Sequence, residues 1–244
     1  MFYQANFFCT YVCSSTMISI IIPTYNEAKK IGTTINNLLS NCDKENINEI
    51  IIGDGGSNDN TLEIAQNLFA KTIIISGKNR AAQLNAGASI ANSEILFFLH
   101  ADSIPSPGYS KKIIDTANNK YHSGCFRLLF DHGHWFLKAN AWFTRFNVNA
   151  VRFGDQGLFV TKDVFKKCGG YNEALSIMED QEIIHRLKKN SSFKVIDGYV
   201  TTSARKYLAN GIYKTQGTFF MIWLLYYFGI SQKRLLKLYR KLSR

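Results

Sequence analysis

Four short apolar runs, each ending in a polar turn and followed by a helical pattern, constrain this chain more than anything else in it. The runs cover residues 18–22, 49–53, 72–75 and 94–99. The first is Ile18-Ser19-Ile20-Ile21-Ile22, a β-branched run of the kind found in strands buried on both faces. Between the runs, Ile31, Ile35, Leu38 and Leu39, then Leu62, Ala65 and Leu68, recur at helical spacing. An Ala-rich helix over residues 79–91 completes the pattern. Strand and helix alternating four times predict a parallel sheet with right-handed crossovers.

The strand ends carry the chemistry. Asn26 and Glu27 follow the first strand, Asp54 the second and Asp102 the fourth. In a parallel sheet these tips fall on one edge, where open α/β sheets bind ligands. Taken alone, Asp102 reads equally well as a turn residue before Pro105 and Pro107. The convergence of several polar tips on one edge is what argues for a site. Ser57 or Asp59 would cap the second helix.

Beyond residue 103 the regularity fades. The pattern predicts a helix from Pro107 to Asn118, a strand over 124–130 and an aromatic-rich helix over 134–146. A polar turn, Gly154-Asp155-Gln156-Gly157, precedes a strand over 158–160. A helix opens at Glu179-Asp180, where the helix dipole favours carboxylates whether or not they have a further role. One or two strands over 195–203 lead to Arg205-Lys206-Tyr207.

The mostly apolar run 218–230 is short of the roughly 20 residues that span a bilayer, so it reads as a buried or interfacial helix. Lys233, Arg234, Lys237, Arg240, Lys241 and Arg244 follow it, mixed with leucines. Such an end either packs one side on the domain or touches an anionic membrane surface. Residues 1–16 match neither a signal peptide nor a membrane span and read as a loose extension before Met17.

Composition sets the partner class. A formal net charge of +11 favours an anionic partner: a nucleotide, a phosphorylated lipid, a membrane surface or a nucleic acid. Nucleic-acid-binding motifs are absent, which argues against the last. Five cysteines without paired spacing argue for a reducing compartment and against a disulfide or zinc framework.

Taken together, Ile20-Ile21-Ile22-Pro23-Thr24-Tyr25-Asn26-Glu27, Asp54-Gly55-Gly56-Ser57-Asn58-Asp59, His100-Ala101-Asp102 and Glu179-Asp180 resemble the family 2 glycosyltransferases. The likeness runs from about Met17 to about Tyr239. It implies the GT-A fold: an α/β domain with a Rossmann-like, mostly parallel central sheet flanked by helices, here with a helical C-terminal tail. It implies one domain over 17–244, with a nucleotide-binding half (17–103), an acceptor and catalytic half (104–206) and a basic tail (207–244). The stretch Asn79-Arg80-Ala81-Ala82-Gln83-Leu84-Asn85-Ala86-Gly87, with His100-Ala101-Asp102-Ser103 and Gly154-Asp155-Gln156-Gly157, is similar to a bacterial subgroup, the selenium-domain- and radical-SAM-associated transferases.

The resemblance also implies roles. Pro23, Tyr25, Glu27 and Asp54 fall where the family holds the nucleoside of a nucleotide-sugar donor, a UDP-sugar being the favoured one. Arg80 falls near the nucleotide, where its fork suits phosphate. Asp102 matches the last carboxylate of the DxD metal motif, implying Mn²⁺ or Mg²⁺; His100 stands in place of the first, as a tentative ligand favouring Mn²⁺. Asp180 matches the general base of inverting members, with Glu179 supporting it. Asp155 and Gln156 lie on the acceptor side. Arg205 and Lys206 match a diphosphate clamp, with Tyr207 in the place of the family's Trp. The acceptor is an unspecified hydroxyl, a lipid-linked one being in keeping with the tail, and the implied location is the cytoplasm or the inner face of the cell membrane. Two other readings stand beside this one. A nucleotidyltransferase of related fold would carry a Gly-rich phosphate loop after the first strand, where Pro23-Thr24-Tyr25-Asn26-Glu27 stands instead. A non-catalytic basic module for a membrane surface would leave the acidic strand ends unexplained.

Overall fold

The structure, a computed structural model, describes residues 17–75, 77 and 79–242. The extension expected over 1–16 lies outside the described residues.

The four expected strands and the three helices between them are present. They are β1 (Ile18–Thr24), α1 (Ala28–Asn41), β2 (Ile47–Asp54), α2 (Thr61–Asn67), β3 (Lys71–Ile74), α3 (Arg80–Ile90) and β4 (Ile95–Phe98). β1 is buried along its whole length. Ile18, Ile20 and Ile22 face one core layer, with Ile31 and Ile35 of α1 and Ala65 of α2. Ile21 faces the other layer, with Ala81 and Leu84 of α3. A strand buried on both faces needs no polar alternation, which is why the β-branched run reads so clearly.

The second half adds β5 (Ser103–Pro105), α4 (Tyr109–Asn118), β6 (Ser123–Phe130), α5 (Trp135–Phe143), β7 (Leu158–Thr161), α6 (Lys162–Lys167), α7 (Glu179–Asn190) and β8 (Phe193–Thr202). Three helices end the described chain: α8 (Arg205–Asn210), α9 (Ile212–Tyr227) and α10 (Gln232–Leu242). The sheet order is β3-β2-β1-β4-β7-β6-β8-β5. β1 pairs in parallel with β2 and β4, and β2 with β3. β7 is antiparallel to both β4 and β6, while β8 is parallel to β6 and antiparallel to β5. Six strands therefore run one way, and the C-terminal tips of β1, β2, β4, β6 and β8 share an edge with the start of β7.

The structure departs from the sequence reading at small elements. β5 falls in the stretch read as a turn; three residues ending in Pro105 suffice because it pairs on one side only, at the sheet edge. α6 was not expected. The single strand β8 replaces the expected one or two, with a register shift opposite Cys125 and Arg127. The aromatic helix stops at Phe143, and short 3₁₀ turns at Asn149–Val151 and Gly154–Gln156 carry the chain to β7.

Candidate functional site

The loops after β1 and β2 are stitched together by side chains. Asp54, fully buried, accepts four hydrogen bonds. They come from the Thr24 hydroxyl (2.8 Å), the Ser57 hydroxyl (2.5 Å), and the Gly56 and Ser57 amides (2.9 and 2.7 Å). A carboxylate has about four acceptor positions, and the turn fills them. Asp54 therefore shapes the loop after β2 from beneath. Asn26, in the left-handed region (φ 54°), accepts from the Asn58 amide (2.9 Å), and its own amide donates to Ser57 Oγ (2.8 Å). Asp59 accepts from the amide and hydroxyl of Thr61 and from the Ala28 amide. Of the two expected caps, Asp59 steadies the start of α2, while Ser57 serves Asp54 and Asn26. Pro23 is buried at the end of β1, opposite Gly53, and Tyr25 is half-buried in the loop beyond it.

From α3, Gln83 Nε2 donates to the Thr24 carbonyl (2.8 Å), fixing the tip of β1. Asn85 accepts from the Tyr171 amide (2.8 Å) and donates to the Tyr171 carbonyl (2.9 Å) and Glu173 Oε1 (2.8 Å). Asn79 caps α3 by accepting from the Ala82 amide and also donates to the Glu173 carbonyl (2.7 Å). Helix α3 thus grips the loop that delivers α7. Met178, in the left-handed region (φ 72°), starts α7 and turns Glu179 and Asp180 toward the sheet edge. A non-glycine residue there costs of order 1 kcal/mol.

Two charged clusters meet at this edge. In the first, Arg80 Nη1 lies 3.2 Å from Glu179 Oε1 and 3.5 Å from Asp180 Oδ2. His100 Nδ1 lies 2.6 Å from Asp155 Oδ1, and its Nε2 faces Asp180 Oδ2 at 3.8 Å with no hydrogen-bond partner. Burial and the Arg80 charge act to lower the His100 pKa, but Asp155 and Asp180 outweigh them and raise it to about 10. Burial acts to raise Asp155, and the His100 contact outweighs it, leaving its pKa below the ordinary value. Burial, then the charge of Asp180, raises the pKa of Glu179. Glu179 is buried and Asp180 is the more exposed of the two.

In the second cluster, Arg205 Nη2 bridges Glu27 Oε1 (2.8 Å) and Asp102 Oδ2 (3.5 Å). The tips of β1, β4 and β8 meet in that bridge. It joins residues 178 apart in the chain, and no local pattern announces it.

Several expected site residues sit differently. Gln156 is fully buried, accepts from Arg152 Nη1 (2.6 Å) and donates to the Val151 carbonyl (2.6 Å). It anchors Arg152, a buried arginine that also ties down the Thr144 and Phe146 carbonyls, so it supports the loop between α5 and β7 from within. Lys206 donates to Tyr239 of α10 and lies over the Phe219 and Tyr239 rings, near enough for its charge to act on Asp155. Tyr207 packs inward on Phe130 and Phe219. Arg80 contacts the α7 carboxylates. Gly154 belongs to this cluster although no motif assigned it a role: a Cβ there would lie 2.1 Å from Asp180 Oδ2 and 2.7 Å from His100 Nε2.

The arrangement bears on a divalent ion. His100 is held through Nδ1 by Asp155, the arrangement that leaves the other ring nitrogen of an imidazole for an ion, and its Nε2, without a hydrogen-bond partner, faces Asp180. Asp102 fits: it stands partly exposed at the edge, with Arg205 Nη2 at 3.5 Å. One carboxylate completed by donor phosphates is a common way to hold Mg²⁺. Among the described residues no group of three or more His, Cys, Asp or Glu could hold a metal by itself.

Solved structures share this architecture. Staphylococcus aureus TarS, residues 1–349, superposes with a TM-score of 0.62 at 16% identity, covering 78% of this chain and 61% of that one. The same TarS fragment is also known in complex with UDP-GlcNAc. A mannosyltransferase of Pyrobaculum calidifontis, in complex with GDP-Man and Mn²⁺, superposes with a TM-score of 0.61 at 14% identity, covering 75% of this chain and 56% of its own. The fold is GT-A. An uncharacterized glycosyltransferase of Nostoc, alr2836, is 31% identical over 104 residues, 40% of this chain and 32% of the relative. The chain spans about a third of the length of the first curated relatives it matches. The model of the family described as Glycosyl transferase family 2 matches residues 19–175, a span that begins in β1 and takes in the loops of β1 and β2, the grip of α3, Asp102 and Asp155. On that match, and with this sheet beneath it, the chain belongs to glycosyl transferase family 2.

Proposed function

We propose that this protein is an inverting glycosyltransferase that moves a sugar from a nucleoside diphosphate, a UDP-sugar by preference, to a hydroxyl acceptor. The observation that carries the reading is the meeting of two clusters on one sheet edge. One offers a carboxylate beside two cations, Asp180 with Arg80 and His100. The other offers a cation between two carboxylates, Arg205 with Glu27 and Asp102. Membership of the family supports it, as does the binding of nucleotide sugars by the similar structures. The subgroup likeness belongs to the same reading.

In this account the loop braced by Asp54, with Pro23, Tyr25 and Glu27, receives the nucleoside. Asp180 takes the proton of the acceptor hydroxyl. The acceptor oxygen bonds to the anomeric carbon from the side opposite the phosphate. The sugar–phosphate bond breaks, and its electron pair leaves with the nucleoside diphosphate. Arg205 faces that developing charge. A divalent ion, Mn²⁺ or Mg²⁺, held by Asp102 and the donor phosphates, would supply further positive charge there. Glu179 and Arg80 hold Asp180, and Asp155 borders the acceptor path. The acceptor is a lipid-linked hydroxyl, and the place of action is the cytoplasmic face of a membrane.

The test separates binding from chemistry. Calorimetric titration with UDP-, GDP-, CDP- and dTDP-sugars is expected to single out one donor. Asp180→Asn is expected to bind that donor as the parent does while its turnover of the donor, followed as nucleotide release, falls by about 10²–10⁴-fold. An Asp180→Asn protein with unchanged turnover would overturn the assignment.

A further inference from the structure

We propose that the outer face of α9, together with the basic face of α10, docks the protein on an anionic lipid bilayer. Helix α9 is apolar on the side that faces away from the domain. Its inner face packs through Thr215, Thr218 and Ile222. Its outer face shows Leu224 with Phe220, Met221 and Tyr227, each three or four residues from it, and Phe228 follows at the helix end, 73% exposed, with Phe220 at 59%. Helix α5 lies alongside, joined by the Phe136–Tyr213 ring contact (5.1 Å) and the Asn140–Gln216 hydrogen bond (3.3 Å). It adds exposed Trp135, Trp142 and Phe143. Of the eighteen large hydrophobic residues exposed among those described, thirteen fall within residues 135–153 and 208–228, which concentrates the apolar surface on these segments. Exposed apolar surface concentrated in this way marks an interface.

Charge decides what covers it. Helix α10 packs back through Leu235 and through Tyr239 stacked on Phe219 (6.3 Å). It turns Lys233, Arg234, Lys237, Arg240 and Lys241 to solvent. From residue 198 to the end of the sequence there are nine Lys and Arg and no Asp or Glu. Residues 132–154 likewise contain no acid. A second copy of this chain on the same face would bring two acid-free basic surfaces together. An anionic bilayer neutralises them and takes up the aromatic side chains at its interface. Among the described residues no helix is long and apolar enough to cross a membrane, so α9 lies along the surface. Helix α8, which begins at Arg205, leads directly into α9. The docking therefore deepens the lipid-linked acceptor reading, while vesicle binding itself requires neither donor nor transfer.

The experiment is flotation of the full chain with phosphatidylcholine vesicles, with and without phosphatidylglycerol. Binding is expected only where phosphatidylglycerol is present, and is expected to weaken with salt. Lys233→Gln with Arg234→Gln and Lys237→Gln should lose about fivefold in affinity per charge removed. Phe220→Ser with Tyr227→Ser and Phe228→Ser should abolish binding with the circular dichroism spectrum unchanged. Failure of the parent protein to float with phosphatidylglycerol vesicles at low salt overturns the proposal. So does vesicle binding that both triple variants retain, or a dimer, measured by light scattering, that the serine variant dissolves. Donor affinity measured on the same samples keeps this outcome separate from the transfer reading: donor binding without flotation refutes docking alone, and flotation without donor binding refutes transfer alone.

Discussion

Asp180 is held by what surrounds it. Arg80 and His100 face its carboxylate, and the backbone of Gly154 lies where any side chain would collide with it. Gly154→Ala is therefore expected to displace Asp180 or His100 and to reduce donor turnover about 100-fold with the fold intact, since displacements near 1 Å at a reacting group cost that much. Steady-state kinetics beside a circular dichroism spectrum checks this; unchanged turnover would mean that the geometry around Asp180 is not the catalytic one. Asp102 and Asp180 were legible in the sequence through the family motifs. Gly154 was not, because the need for a missing side chain arises only when β4, β7 and α7 converge. The partners of Gln156 and Lys206 were not legible for a related reason: a motif gives a position along the chain, while the direction of the side chain depends on other residues, Arg152 and Tyr239.

Among the elements, α3 matters most to the site, because it fixes β1 through Gln83 and the α7 loop through Asn79 and Asn85. Asn79→Ala removes the cap and the contact with Glu173. The cap alone is worth about 1 kcal/mol, and that lowers Tm by about 2–4 °C in a domain of this size. Differential scanning calorimetry checks it; an unchanged Tm would mean that the cap contributes nothing. β1, β2 and β4 were legible because they are buried apolar runs, and α1 because it shows one apolar stripe, while β3, at the sheet edge, is largely uncovered and shows only as a short β-branched run. β5 and α6 were not, because three and six residues are too few for a period to show. The α9 stripe was half legible: the apolar run was seen, but which side of it the domain covers is a tertiary fact.

At the scale of the whole molecule, the edge of the sheet opposite the site is locked by Glu49. This buried carboxylate accepts from the Ser19 hydroxyl (2.7 Å), the Asn92 amide (2.6 Å) and Lys71, joining β1, β2, β3 and the turn before β4. Burial acts to raise its pKa, but Lys71, Asn92 and Ser19 outweigh burial and hold it below 4.5. A depressed carboxyl stabilises the fold fully above its unfolded pKa and ceases to do so as pH falls through the folded value. Glu49→Gln is thus expected to cost about 2 kcal/mol at neutral pH. Thermal unfolding should show the gap to the parent closing as the pH drops below about 4.5. A gap independent of pH would contradict the ionised role.

The central claim, a nucleoside-diphosphate site on the sheet edge at Asp102, is tested most directly by thermal shift with UDP, GDP, CDP and dTDP, each with and without Mn²⁺. Ligands that bind only the folded state raise its apparent stability. The account predicts a shift for one diphosphate, strengthened by Mn²⁺ and lost in Asp102→Ala. No shift with any diphosphate from a folded sample, or a shift that Asp102→Ala retains in full, would contradict it.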